Sequence, residues 1–162
     1  MRVKFTIMGP PKGKGRPRFQ KIGNYTKVCT PPDTVNYENL VKLEYELQCK
    51  KYYFPDDKEL GIKIIAYYPI AKSTSKIKKE KMNNDLIHPT KKPDCDNVLK
   101  IVADSLNLIA YHDDAQIIEA SVCKKFSDVP RTEVELYDLE NPDVLYEHLE
   151  PVLMTEEEKS KL

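Results

Sequence analysis

The chain has 162 residues, of which 32% are charged and 40% hydrophobic; it has no tryptophan, and its formal net charge is zero. That length suits one domain with a real core, and the lack of any apolar run near about 20 residues speaks against a membrane span. The N-terminus also lacks the apolar stretch of a secretion signal, so the expectation is a cytoplasmic protein with no membrane partner.

Four cysteines (Cys29, Cys49, Cys95 and Cys123) and three histidines (His88, His112 and His148) are scattered, with no CxxC pair. Zinc needs clustered soft ligands and finds none here. The cysteines are expected to be partly buried thiols. The zero net charge hides an asymmetry. Residues 1–32 hold eight basic side chains and no acid, whereas residues 127–162 hold 11 acids against Arg131, Lys159 and Lys161. The segment from 127 onward is therefore −8 and everything before it +8. Charge segregated in this way is compatible with a nucleic-acid partner despite the neutral total.

Residues 2–8 alternate apolar Val3, Phe5 and Ile7 with Lys4 and Thr6, which predicts a half-buried strand. GPPKGKGRPRF follows and cannot continue a regular element. Gly23-Asn24 predicts a turn between extended pieces at 18–22 and 25–30. After Pro31-Pro32, with Asp33 or Thr34 as the expected cap, a helix runs to about residue 50. Residues 60–70, rich in β-branched and aromatic side chains, read as a central strand. Residues 73–84 read as a strongly basic helix carrying Lys76, Lys78, Lys79 and Lys81. A helix from about Asp96, strands near 117–125 and 132–137, a short helix near 141–150 and an acidic tail complete the chain. The order β-β-β-α-β-α-α-β-β-α predicts an α+β fold, a small mixed sheet with helices packed against it. Residues 1–140 form the expected domain, and 141–162 a C-terminal helix and tail.

The chemistry gathers in residues 91–116, KKPDCDNVLKIVADSLNLIAYHDDAQ. Asp94 and Asp96 open this stretch, Asp113 and Asp114 close it, and a helix only about 15 Å long separates them. Converging carboxylates repel unless a proton or cation intervenes, which suggests a hard-metal site. The same residues also read as a helix cap and a turn. Leu99 and Ser105 stand where an EF-hand loop from Asp94 would need Gly and Glu, so that site is excluded. A carboxylate pair for glycoside hydrolysis is disfavoured by the absence of tryptophan as a sugar platform. Lys100, four residues after Asp96, suits either phosphate contact or a surface ion pair. Gln116 suits a hydrogen bond to a ligand or the start of a strand. Lys12, Lys14, Arg16 and Arg18 suit DNA phosphates or a solvated surface, and Phe19 and Tyr25 could stack on an exposed base.

The central motif, KPDCDNVLKIVADSLN followed by AYHDDAQI, closely resembles the signature of the RusA family of Holliday-junction resolvases. GKGRPRF and YTKVCTPPDTVNYE resemble the family's basic loop and first helix, and the likeness covers roughly residues 3–137. The resemblance implies metal-binding, catalytic aspartates at Asp94, Asp96 and Asp114, an active-site lysine at Lys100, and Asp113, Gln116 and Asn97 as close neighbours. It further implies a homodimer that cuts four-way DNA junctions by paired nicks with Mg2+, Mn2+ substituting, and DNA contacts through the basic loop; Lys76, Lys78 and Lys79 are expected to meet DNA phosphates on the ground of their positive charge. Residues 72–92 and the acidic tail lengthen this chain relative to shorter family members. Two other readings are a branched-DNA-binding protein without catalysis and a metal-dependent hydrolase of small phosphate esters.

Overall fold

β4 (Leu60–Pro69) is the strand around which the sheet is built. In the computed structural model, which describes residues 1–139 apart from Asn24, a four-stranded sheet has the order β1-β6-β4-β5. β1 (Arg2–Met8) pairs antiparallel with β6 (Arg131–Asp138), β6 antiparallel with β4, and β4 parallel with β5 (Ile117–Ser127). The expected α+β architecture with a mixed sheet is therefore present. The helix and tail expected after residue 140 lie outside the described residues.

A parallel pair needs a crossover, and here it contains α2 (Lys76–Asn83) and α3 (Cys95–Leu106). Alternation along β4 sends Leu60, Ile62, Ile64, Ala66 and Tyr68 to one face, where all are buried. α1 (Pro32–Gln48) and α3 cover that face, contributing Tyr37, Val41 and Tyr45 from one and Val98, Ile101, Val102 and Leu106 from the other. The opposite face carries Lys4, Thr6, Lys63, Glu133 and Glu135 around a shallow groove. β2 (Arg18–Ile22) and β3 (Tyr25–Cys29) form a separate two-stranded ribbon, with Gly23 at φ +60° in its turn.

Several boundaries differ from expectation for local reasons. α1 begins at Pro32, ahead of Asp33 and Thr34, because proline has no amide to satisfy and is at home in the first helical position. α2 starts at Lys76 after Ser75, later than residue 73. α3 starts at Cys95, with Asp94 rather than Asp96 as its N-cap residue. The cysteines form no disulfide; Cys49 is buried as expected, but Cys95 and Cys123 are exposed.

Candidate active site

The helical repeat of α3 creates the acidic face. Asp96, Lys100 and Asp104 are spaced four apart, so their side chains rise along one side of the helix while Val98, Ile101, Val102 and Leu106 go to the core. Opposite them, the chain leaves α3 at Asn107 and turns back. Tyr111 anchors the return, its buried hydroxyl donating to the Ala103 carbonyl at 2.9 Å. This brings Asp114 across from α3. Asp96, Lys100, Asp104 and Asp114, with Leu99, Ala103, Ile117 and Ala120, line one cleft of about 310 Å³.

Two residues expected as close neighbours build the turn that carries Asp114. Asp113 accepts from the Ala115 amide at 2.8 Å and forms a capping box with Gln116 ahead of the 3-10 turn Asp114–Gln116. The Gln116 amide group donates to the carbonyls of Pro55 at 3.0 Å and Lys58 at 3.2 Å, while its oxygen accepts from the His112 amide at 3.0 Å. Gln116 is thus a fastener between this turn and the loop before β4, with its polar atoms engaged inside the protein.

Burial, then the nearby charges of Asp104 and Asp113, push the Asp114 carboxyl above the usual carboxylate range. A hydrogen bond from the Asn107 side chain acts in the opposite direction. The carbonyl oxygen of that Asn107 side chain is buried without a hydrogen-bond partner, an unsatisfied hard donor close to a crowded set of acids. Among the described residues, no three His, Cys, Asp or Glu side chains stand close enough to enclose a metal ion.

Asp94 lies at the N-cap of α3 and does not line the cleft. Its surroundings are distinct: the Tyr68 hydroxyl donates to the Pro93 carbonyl at 2.8 Å, and the Lys124 ammonium donates to the same oxygen at 3.1 Å and to the Lys91 carbonyl at 2.6 Å. Tyr68 is pushed up to about 12, first by burial and then by the Cys95 and Asp94 charges, so it remains a neutral donor. Side chains from β4 and β5 therefore fix the peptide immediately before Asp94.

The basic loop has two kinds of lysine and arginine. Lys12, Arg16 and Arg18 are exposed, whereas Lys14 is half-buried. Its ammonium pairs with Glu38 at 2.5 Å and Asp104 at 3.0 Å, and its amide donates to the Asn97 carbonyl at 3.0 Å. The loop is seated rather than loose: a Cβ at Gly13 would stand 2.8 Å from that of Pro93 and 3.0 Å from that of Asn97, and one at Gly15 would clash with the Thr34 hydroxyl. These glycines serve close approach to α3 and α1. On α2, Lys76, Lys78 and Lys79 are all exposed, and Lys79 pairs with Asp128 at 2.8 Å.

Asp104 is the residue that sequence reasoning passed over. Its signal was present, since it lies eight residues after Asp96 and four after Lys100 and so shares their helix face.

The Bacillus subtilis (strain 168) protein named "Uncharacterized protein YqaN" is 33% identical over 137 residues, spanning 85% of this chain and 96% of that one. The family model Endodeoxyribonuclease RusA matches residues 8–137, a span that includes α1, the crossover helices and the entire cleft. The chain belongs to the RusA endodeoxyribonuclease family.

Proposed function

We propose that this chain is a magnesium-dependent endonuclease, active as a homodimer, that resolves four-way DNA junctions by paired symmetric nicks. The observation that carries the reading is the meeting of Asp96, Lys100 and Asp104 from α3 with Asp114 from the returning chain in one cleft. Membership of an endodeoxyribonuclease family supports it.

The donor set fits a hard divalent cation, because every candidate ligand is an oxygen and Mg2+ completes its shell with water and substrate phosphate. Asp96 and Asp114 would hold the ion, with Asp94 at the start of the same helix, and Mn2+ would substitute. When bound, such an ion supplies Lewis acidity at the phosphate and a more acidic water. Lys100 presents an ammonium where negative charge develops on the phosphate oxygens. Asp113, Gln116 and Asn97 hold the backbone that aims these groups, through the capping box, the ties to Pro55 and Lys58, and the link to Lys14. Exposed Lys12, Arg16, Arg18, Lys76 and Lys78 meet DNA phosphates. Symmetry-related nicks need two sites, which a twofold dimer provides.

The deciding experiment follows both labelled strands of a synthetic four-way junction with and without Mg2+, for the wild type and Asp96→Asn. Paired nicks that require Mg2+ and disappear in the variant, with binding retained, are expected. Cutting that survives Asp96→Asn at ordinary Mg2+ would remove the catalytic assignment. Equal turnover of free nucleotides would favour a small phosphate-ester hydrolase instead.

A further inference from the structure

Outside the cleft, the β2–β3 ribbon is the feature that the domain itself does not use. Its strands pair with each other from Arg18↔Cys29 to Ile22↔Tyr25, and neither packs extensively on another element. A lone two-stranded ribbon is marginal in water, and exposed aromatic side chains on it invite a partner. Phe19 is 76% exposed, Tyr25 82% and Val28 57%. The register puts Phe19, Lys21, Thr26 and Val28 on one face and Arg18, Tyr25 and Lys27 on the other. Each face thus offers an aromatic ring beside a cation.

We propose that the β2–β3 ribbon is an arm that grips branched DNA at the branch point, its cations on phosphates and Phe19 stacked on a base left unpaired there. This inference rests on the reading that branched DNA is the substrate. Charge complementarity selects the partner: residues 9–32 carry six basic side chains and no acid, so a second ribbon would be repelled and a polyanion attracted. The aromatic faces select the branch. Bases within a duplex are paired and stacked, whereas a base at a branch point can be taken up by an exposed ring. The arm is also within reach of the cleft. Lys14 is bonded to Asp104, which lines the cleft, and Arg18 is four residues further on, at most about 14 Å along the chain.

Equilibrium binding to a four-way junction and to linear duplex of equal length, in metal-free buffer, tests this with wild type, Phe19→Ala and Lys21→Gln. Phe19→Ala should weaken junction binding about tenfold or more and leave duplex binding within about twofold. Lys21→Gln should weaken both and lower the salt slope by about one. An equal loss on both DNAs for Phe19→Ala, or no loss on either, would overturn the proposal. So would a change in sedimentation of Phe19→Ala without DNA, which would make the ribbon a contact between copies. Because Phe19 is so exposed, an unchanged melting temperature is expected. Binding is read without cleavage, so a wild type that binds junctions but never nicks them would refute the catalytic reading and leave this one standing.

Discussion

The Lys14 ammonium lies 3.0 Å from a carboxylate oxygen of Asp104 and 2.5 Å from one of Glu38. One half-buried cation thus joins the basic loop to α1 and to the acidic face of α3. Burial by itself lowers the Lys14 pKa, but the hydrogen bonds to Glu38 and Asp104 outweigh it and the net shift is upward from 10.5. A lysine that engages two protein carboxylates is a brace for the site, whereas its neighbours Arg16 and Arg18 face outward.

That difference predicts opposite behaviour within one loop. Neutralising Arg16 and Arg18 should weaken DNA binding and reduce its salt dependence by about one slope unit per lost phosphate contact. Lys14→Met should leave the slope unchanged and instead destabilise the fold by about 1–2 kcal/mol, through two carboxylates left without their partner. Because the folded pKa is raised, this contribution is present in full below 10.5 and is lost as pH rises through the folded value. The deficit of Lys14→Met in thermal melts should therefore be constant around neutral pH and shrink only in strong alkali. A reduced salt slope for Lys14→Met would show that Lys14 contacts DNA after all.

Asp104 shares its helix face with Asp96 and Lys100 and its cleft with Asp114. Asp104→Asn is expected to lower junction cutting about 10- to 100-fold, the range typical of groups that orient or charge-balance metal ligands. Near-complete retention of the melting temperature would separate this from unfolding. Wild-type cutting by the variant would reduce Asp104 to a partner of Lys14.

Asp114 gives a prediction without substrate. Its carboxyl is raised, first by burial and then by Asp104 and Asp113, so its ionised form is disfavoured in the metal-free protein. The folded chain keeps this proton to higher pH than the unfolded chain. The associated stability is full below 3.8 and is lost as pH rises through the raised folded value. At neutral pH without divalent ions, Asp114→Asn should melt slightly higher than the wild type. Added Mg2+ should raise the wild type and leave the variant unmoved. If Mg2+ shifts both equally, Asp114 is not a ligand.

The carbonyl of Pro93 receives both the Tyr68 hydroxyl and the Lys124 ammonium, one residue before Asp94. Tyr68→Phe keeps the buried ring and removes one hydrogen bond, with an expected cost of about 1 kcal/mol. Lys124→Met should slow cutting while junction affinity stays within about twofold, and Lys124→Arg should recover much of the rate. Parallel losses of rate and affinity would indicate a DNA contact at Lys124 instead.

Much of the fold was legible because periodicity reports burial. The alternation of β4 and the 3.6-residue pattern of α3 follow directly from which side chains must leave water, and Gly23, at φ +60°, lies in the turn between the ribbon strands. Asp96 and Asp114, two aspartates of the local motif, line one cleft. What sequence spacing could not decide was which charges face inward. Lys14 and Arg16 look alike in GKGRPRF, yet Lys14 meets Glu38 and Asp104 only because Gly13 and Gly15 let the loop lie against α3 and α1. Likewise Gln116 is tied to Pro55 and Lys58, some sixty residues away, and Asp94 stands at the N-cap position of α3, outside the cleft. Each of these outcomes depends on long-range contacts, which local pattern does not encode. By itself, then, the sequence determined the class of elements and the residue types of the site. The tertiary structure decided which of them meet, because packing places cations and carboxylates from distant segments within hydrogen-bonding distance.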